Sequence, residues 1–326
     1  MKKRVAVIYG GYSSEFEISR KSAGTIFEHI NRDLYEPCLV ELSKNSWHVA
    51  IKGGVASIDK NKFTFIDSAE NETSFDVAFI TIHGTPGEDG KLQAYFDMIG
   101  LKYINASHFS SSLSFNKWAC NCFLKTFGVT VAKSILLRKG DKPNPIEIAD
   151  ELGFPCFVKP NDGGSSFGIT KVKKLLDMPD AIAKAFAEGS EVVIESFVDG
   201  REVTCGLYFN GKDVIALPPT EIISKNEYFD YQAKYEGASK EVTPAEIPAA
   251  WTKKIQEISK LAYRRLGLRG IARVDFIVET KTETPYLIEV NTTPGMTGES
   301  LVPQQVKAAG GTLTKMFDDL LAVGLK

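Results

Sequence analysis

Arg273-Val274-Asp275-Phe276-Ile277-Val278 and, shortly after, Tyr286-Leu287-Ile288-Glu289-Val290-Asn291 read as the two strands of a hairpin. Side chains alternate faces along a strand, so Arg273 and Asp275 share one face while Val274, Phe276 and Val278 take the other. On the second strand Glu289 and Asn291 fall opposite the face of Ile288 and Val290. A turn centred near Thr282 sets Asp275 across from Glu289 and Arg273 across from Asn291. A slip of one residue would put Asp275 against Ile288, a charge against an apolar face, so the apolar pattern defends the register. Two adjacent carboxylates repel and need a cation; Asp, Glu and Asn oxygens suit a hard divalent ion, above all magnesium carrying nucleotide phosphates. Alone, such a hairpin is more often a surface turn with its polar face in water. The run Val290-Asn291-Thr292-Thr293-Pro294-Gly295 and the phosphate chemistry upstream weigh against that.

A chain of 326 residues, 43% hydrophobic and 25% charged, has room for two or three compact domains. The net charge of -2, with no basic run or RNP-like motif, argues against a nucleic-acid partner. The apolar run after Lys2-Lys3-Arg4 ends at Gly10-Gly11, too short for a signal peptide, so the expected location is the cytoplasm. No stretch approaches the roughly 20 apolar residues of a membrane helix, and no membrane partner is expected. Cys38, Cys120, Cys122, Cys156 and Cys205 are scattered and read as reduced thiols, with Cys120 and Cys122 on two faces of one helix.

Strand 4–9, a Gly-rich turn and helix 19–31 open an α/β domain; strands are expected at 38–42, 77–82 and 102–104, with helix 93–99 between the last two. That domain is expected to span 1–108. A central α+β lobe, 109–197, holds helix 116–126, strand 134–137, a Pro-led helix 145–152 stopped by Gly153, strand 157–160, helix 178–187 and strand 192–196. A C-terminal lobe, 198–326, holds strands 203–209 and 214–217, helix 249–266, the hairpin and a last helix 313–323. Within it, residues 224–241 are aromatic and polar without a clean period, and read as a lid.

Several constellations carry chemistry. Lys159-Pro160-Asn161-Asp162-Gly163-Gly164-Ser165-Ser166-Phe167-Gly168 leaves a strand and closes over phosphates through backbone N–H groups, with Lys159 adding charge along a nucleotide. It lacks the Walker pattern, and a plain hairpin turn is the competing reading. Glu195-Ser196-Phe197-Val198 and Asp199-Gly200-Arg201-Glu202 form a natural linker between lobes, where adenine meets backbone and ribose meets Glu202. Lys117 opens a helix and, alone, would be a surface lysine. In the lid, Lys234 would bring charge to a transferring phosphoryl group and Tyr235 a hydroxyl to the substrate. Gly10-Gly11-Tyr12-Ser13-Ser14-Glu15 lacks the dinucleotide spacing, and its acids suit a substrate ammonium at Glu15. His83-Gly84-Thr85-Pro86-Gly87-Glu88-Asp89-Gly90 follows a strand end, where His83 can bind a substrate carboxyl.

Taken in order, the motifs around Glu15, His83, Lys159 to Gly168, Asp230 to Tyr235, Arg273-x-Asp275 and Glu289-x-Asn291-Thr-x-Pro-Gly-Met-Thr closely resemble the D-alanine–D-alanine ligase family over the whole chain. The resemblance implies an ATP-grasp fold, two α+β lobes gripping ATP, with an N-terminal Rossmann-like (preATP-grasp) α/β domain. It implies ATP and two Mg2+ (or Mn2+) ions, Asp275 and Glu289 holding one metal and Glu289 and Asn291 the second. Lys117, Lys159, Ser165, Ser166, Glu195, Ser196, Val198, Glu202 and Lys234 would hold ATP. Glu15 would bind the ammonium of the first D-alanine and link through Ser165 to Tyr235, while Ser300 and Leu301 would hold the carboxylate of the second. Glu299 departs from many relatives, which puts substrate affinity in doubt. A D-alanine carboxylate would attack the γ-phosphoryl of ATP, and the second amine would attack the acyl phosphate, with Arg273 and the Gly295 N–H on the oxyanion. The implied product serves peptidoglycan synthesis, and a homodimer is the family's habit. Rivals are a ligase taking D-lactate or D-serine, a non-catalytic nucleotide sensor, and an ATP-grasp enzyme joining other amino acids; Tyr235 argues against D-lactate, Asp275, Glu289, Asn291 and Lys234 against the sensor, and Glu15, Ser165 and Tyr235 against the third.

Overall fold

The computed structural model describes residues 2–163, 168–224 and 239–326. β1 (Lys3–Gly10) pairs in parallel with β2 (Tyr35–Leu42) on one side and β7 (Val77–Ile80) on the other. Covered on both faces, it is built from an unbroken apolar run, and Val5 to Ile8 are fully buried. Its exit through Gly10-Gly11 leads into α1 (Phe16–His29), which buries Ser19, Ser22, Ala23 and Ile26. β3 (Trp47–Ile51) and β4 (Gly54–Ser57) extend the sheet antiparallel to the order β4-β3-β2-β1-β7, beside a small ribbon of β5 (Phe65–Ile66) and β6 (Glu72–Thr73).

The strand expected at 102–104 is only a bridge between Ala78 and Tyr103. The ladder stops because the Asn105 side chain takes the place of a strand: Ile80 N–H donates to its Oδ1 at 2.8 Å and its Nδ2 donates to Ile80 C=O at 2.8 Å. α2 (Lys91–Ile99) is as expected, whereas α3 (His108–Phe115) was not anticipated; Asn116 ends it and caps α4 (Lys117–Lys125), accepting from the Ala119 N–H.

The second sheet is antiparallel, in the order β10-β9-β11-β8, from β8 (Ser134–Arg138), β9 (Cys156–Pro160), β10 (Thr170–Val172) and β11 (Glu191–Ser196). α5 (Pro145–Leu152) and α6 (Met178–Glu188) cover one face, packing Ile148, Met178 and Ala185 on Val158, Val192 and Ile194.

The third sheet runs β15-β14-β12-β16-β17, with β13 also paired to β12. Its strands are β12 (Gly200–Phe209), β13 (Val214–Ala216), β14 (Thr220–Ser224), β15 (Ser239–Val242), β16 (Ile271–Glu279) and β17 (Pro285–Asn291). α7 (Ala249–Arg265) lays Trp251, Ile255, Ala262 and Tyr263 into the core with Val203, Cys205, Val274 and Phe276. α8 (Leu301–Ala308) and α9 (Leu313–Gly324) join a core shared with α1 and β1, where Val302, Phe317 and Leu320 meet Ile26 and Val7. Residues 225–238, most of the expected lid, lie outside the described residues; its flanks are the paired strands β14 and β15.

In the hairpin the register is as expected at Arg273↔Asn291 and Asp275↔Glu289, then shifts at a bulge so that Phe276 faces Leu287. The expectation that Ile288 shares the apolar face with Val290 is therefore corrected. The bulge turns Leu287 into the core with Val290 and leaves Ile288 half-buried outside it.

Gly10 shows how tightly the first turn is built: its φ is +105°, and an added Cβ would lie 2.4 Å from the Leu42 carbonyl oxygen. Gly53 has a similar φ of +91° with open space around it. Gly53→Ala should cost about 1 kcal/mol from backbone strain alone, and Gly10→Ala at least about twice that, read from urea unfolding. Equal costs would mean that the close approach to β2 contributes nothing.

Candidate functional site

Asp275 stands at the middle of β16, opposite Thr204 on β12 and Glu289 on β17. It is 7% exposed and every oxygen is engaged. The Thr204 hydroxyl donates to Oδ1 at 2.5 Å, Arg273 donates through Nε to Oδ1 and Nη2 to Oδ2, both at 2.8 Å, and Asn291 Nδ2 donates to Oδ2 at 2.9 Å. The fork geometry locks the guanidinium to the carboxylate. Burial opposes the charge of Arg273, but Asp275, then Glu289 and Glu88, outweigh it and raise its pKa.

The bulge aims Glu289. Its extra residue, Ile288, has a carbonyl that the ladder no longer serves, and Nδ2 of buried Asn121 on α4 donates to it at 3.1 Å. The outer edge of β17 is closed where Leu287 N–H donates to Thr130 C=O at 2.9 Å. One turn before Asn121, Lys117 reaches both sides of the site: Nζ donates to the Gly163 carbonyl at 2.7 Å and lies 3.5 Å from Glu289 Oε2. Fully buried Asn161 fixes the start of α4, accepting from Trp118 N–H at Oδ1 (2.9 Å) and from Lys117 N–H at its carbonyl (3.1 Å). Lys117 is thus no surface lysine. It ties the glycine-rich segment to the metal-type carboxylates.

On the second sheet Lys159 sits opposite Val193, so Glu195 lies diagonally on the same face. The two form a buried ion pair, Lys159 Nζ to Glu195 Oε2 at 2.6 Å. Ser196 N–H donates to the Lys133 carbonyl at 2.9 Å, and the chain passes Val198 into β12, where Glu202 pairs across to Ile222 and Ile277. These residues line the passage from one sheet to the next.

Glu15 precedes α1, and the loop around it is laced to the 83–88 loop: Tyr12 N–H donates to Thr85 C=O at 2.9 Å and Ser13 Oγ to the carbonyl of buried His83 at 2.8 Å. Within the second loop, the Gly84 N–H donates to Glu88 Oε2 at 3.0 Å. Glu88 was not singled out from the sequence, although Gly87-Glu88-Asp89-Gly90 offered the signal. Its carboxyl is pushed up to about 7 by burial, against the Gly84 hydrogen bond, with Glu15 and Glu289 adding repulsion and Lys117 opposing it. The loop of Glu15 and the hairpin of Glu289 therefore converge on one acidic pocket. Thr204, Asn121 and Asn161 were missed as well, because each acts through contacts far apart in sequence.

After β17 the chain turns through Gly295, where an added Cβ would lie 2.9 Å from Ser300 Oγ. Ser300 accepts from the Thr297 N–H at 3.0 Å and pairs with the Thr297 hydroxyl at 2.8 Å; Leu301 begins α8. Ser165, Ser166, Lys234 and Tyr235 lie outside the described residues.

The residues present fit hard cations. Asp275 and Glu289 face each other, and Asn291 reaches both, its Nδ2 lying 3.5 Å from Glu289 Oε1. A half-turn of the Asn291 amide exchanges its NH2 for oxygen, giving an all-oxygen set. Among the described residues no group of three His, Cys, Asp or Glu side chains could hold a metal.

Two family models match: D-ala D-ala ligase N-terminus over residues 4–106 and D-ala D-ala ligase C-terminus over residues 123–322. The chain is 49% identical to the D-alanine--D-alanine ligase of Parabacteroides distasonis, covering 100% of this chain and 98% of that one. It is 44% identical to the ligase of the same name from Phocaeicola vulgatus, covering 98% and 99%. Among solved structures it resembles the VanG D-Ala:D-Ser ligase from Enterococcus faecalis, with TM-score 0.89, 30% identity and 99% of each chain covered. A D-alanine--D-alanine ligase from Bacillus anthracis complexed with ATP matches with TM-score 0.79 and 30% identity, covering 99% and 97%.

The folded protein holds the Glu88 proton more tightly than the unfolded chain, whose ordinary value is 4.5. Stability due to this group is therefore fullest below pH 4.5 and falls as pH rises to about 7. In the ligand-free protein Glu88→Gln should remove that fall, leaving the variant more stable than wild type at pH 8 by at most about 3 kcal/mol and not at pH 4.5. Urea unfolding at both pH values checks it, and an equal effect at both would place Glu88 outside the acidic pocket.

Proposed function

This chain belongs to the D-alanine–D-alanine ligase family, ATP-dependent enzymes of the ATP-grasp fold that form a peptide bond, and on that premise we propose how its residues divide the work of joining two D-alanines. The observation that carries the reading is the Asp275–Glu289 pair, facing each other in register beside Lys117, whose ammonium also touches Gly163. Metal-type oxygens and the phosphate-type backbone are thereby held by one side chain.

Magnesium or manganese, when bound, neutralises the charge on the nucleotide phosphates; Asp275 and Glu289 would hold one ion and Glu289 and Asn291 the second. Lys117, Lys159, Ser165 and Ser166 grip ATP, with Glu195, Ser196 and Val198 at the adenine and Glu202 at the ribose. Glu15 holds the ammonium of the first D-alanine, and His83 supports its carboxyl. That carboxylate attacks the γ-phosphorus, the bond to the ADP oxygen breaks, and Lys159 and Lys234 draw off the developing charge. The amine of the second D-alanine, its carboxylate held at Ser300 and Leu301, attacks the acyl carbon, loses a proton, and phosphate departs. Arg273 spends Nε and Nη2 on Asp275, which leaves Nη1, with the Gly295 N–H, for the tetrahedral oxyanion. An acyl phosphate must be kept from water, and the family resemblance gives that task to residues 224–241, with Tyr235 tied through Ser165 to Glu15; Ser165, Tyr235 and residues 225–238 lie outside the described residues.

The domains of this reading are 1–108 for substrate, 109–197 as the central lobe and 198–326 as the metal-bearing lobe. The enzyme works as a homodimer in the cytoplasm, where ATP is available, and supplies a peptidoglycan precursor. No helix among the described residues is long and apolar enough to cross a membrane. The 30% likeness to a D-Ala:D-Ser ligase leaves the acceptor open to the fold, while 49% identity to a D-alanine--D-alanine ligase favours D-alanine.

Phosphate release from ATP should require D-alanine and be absent with L-alanine, D-serine or D-lactate as sole additions. Release with L-alanine alone would overturn the substrate. Glu289→Gln should lower turnover more than about 100-fold with an unchanged circular dichroism spectrum; near-normal turnover would sink the metal assignment.

A further inference from the structure

Gln305 is a fully buried carboxamide on α8, a helix whose other inward residues, Val302, Pro303 and Val306, are apolar. It fills a break in the third sheet. β14 pairs with β12 as far as Thr204↔Thr220, and β13 pairs with it from Leu207↔Ala216 onward. Between them runs Leu217-Pro218-Pro219, and prolines have no N–H to continue a ladder. Two groups on the edge of β12 would then be buried without partners, a costly outcome. Gln305 supplies both: Gly206 N–H donates to Oε1 at 2.9 Å, and Nε2 donates to Thr204 C=O at 3.0 Å and to Thr220 Oγ1 at 3.1 Å. Gly206 admits this approach because a Cβ there would lie 2.5 Å from Oε1.

The residue so pinned, Thr204, is fully buried, and its hydroxyl holds Asp275 Oδ1. The helix that carries Gln305 starts at Ser300 and Leu301. One side chain therefore joins the metal-bearing strand pair to the start of the helix beside Gly295. We propose that Gln305 is a positioning residue that sets metal affinity and acceptor affinity together, acting through the Thr204 backbone on Asp275 and through α8 on Ser300. This rests on the assignments of Asp275 to metal and of Ser300 to the second D-alanine.

The test measures Mn2+ affinity in the presence of ADP, by paramagnetic resonance of the free ion, together with KM for the acceptor D-alanine and the unfolding midpoint. Gln305→Met keeps the volume and removes the hydrogen bonds. It should weaken Mn2+ about 10-fold and raise the acceptor KM. Thr204→Val should weaken Mn2+ similarly with little change in the acceptor KM, and Thr204→Ser should restore it. If Gln305→Met does not fold, Gln305→Glu, which keeps the acceptor for Gly206 and loses the donor to Thr204, is read the same way. Wild-type Mn2+ affinity, or a changed Mn2+ affinity with an unchanged acceptor KM, overturns the proposal even where the unfolding midpoint drops. Asp275→Asn separates this from failure of the underlying assignment: if it binds Mn2+ as tightly as wild type, the metal reading itself falls.

Discussion

The site depends on holding two carboxylates, Asp275 and Glu289, directly opposite each other on paired strands. Like charges in that position repel. Among the described residues, cations of two different kinds offset that cost. Arg273 is a permanent partner, forked onto Asp275 in the same strand and unable to lose its proton. Lys117 is a looser one, 3.5 Å from Glu289 and bonded at 2.7 Å to a backbone carbonyl instead. Glu15 adds further negative charge near this centre, and the Glu88 carboxyl, pushed up to about 7 by burial first and then by repulsion from Glu15 and Glu289, records the crowding.

Much of this centre was legible in sequence because strand periodicity is strict. Arg273, Asp275, Glu289 and Asn291 follow from alternation and a turn length. The bulge was not legible. Leu287, Ile288 and Val290 are all apolar, so nothing in the pattern says which of them leaves the core; the choice is made by Asn121 and Thr130, more than 150 residues away along the chain. The same holds for Lys117, whose role depends on Asn161 and Gly163. A helix start can be read locally, but what its first side chain touches cannot.

The fold class was legible for a similar reason. Buried parallel strands such as β1 are continuous apolar runs, and helices such as α5 announce their ends with Pro145 and Gly153. The missed elements are short or polar: β3 and β4 lie at a half-exposed sheet edge, and α3 is rich in serine, three of which are buried against neighbours that only the folded chain provides. The strand expected at 102–104 failed because Asn105 imitates its backbone. The scattered cysteines are free thiols, and burial pushes Cys120 and Cys205 up to about 12, far from reactivity.

The two cations also differ in how firmly each is held. Arg273 is bound to Asp275 by two short bonds, and separating them would leave a buried charge uncompensated, so this pair is the fixed part of the centre. Lys117 has no such constraint: its carboxylate contact is long, and a phosphate offers a stronger partner than a carbonyl and a distant Glu289. On the reading proposed above, a polyphosphate would offer Lys117 a partner in place of the Gly163 carbonyl, and Glu289 would be left to hold a cation. Two carboxylates that repel each other in the hairpin would be favourable beside bound cations, so on that reading the repulsion between Asp275 and Glu289 would favour a nucleotide that brings its own positive charge.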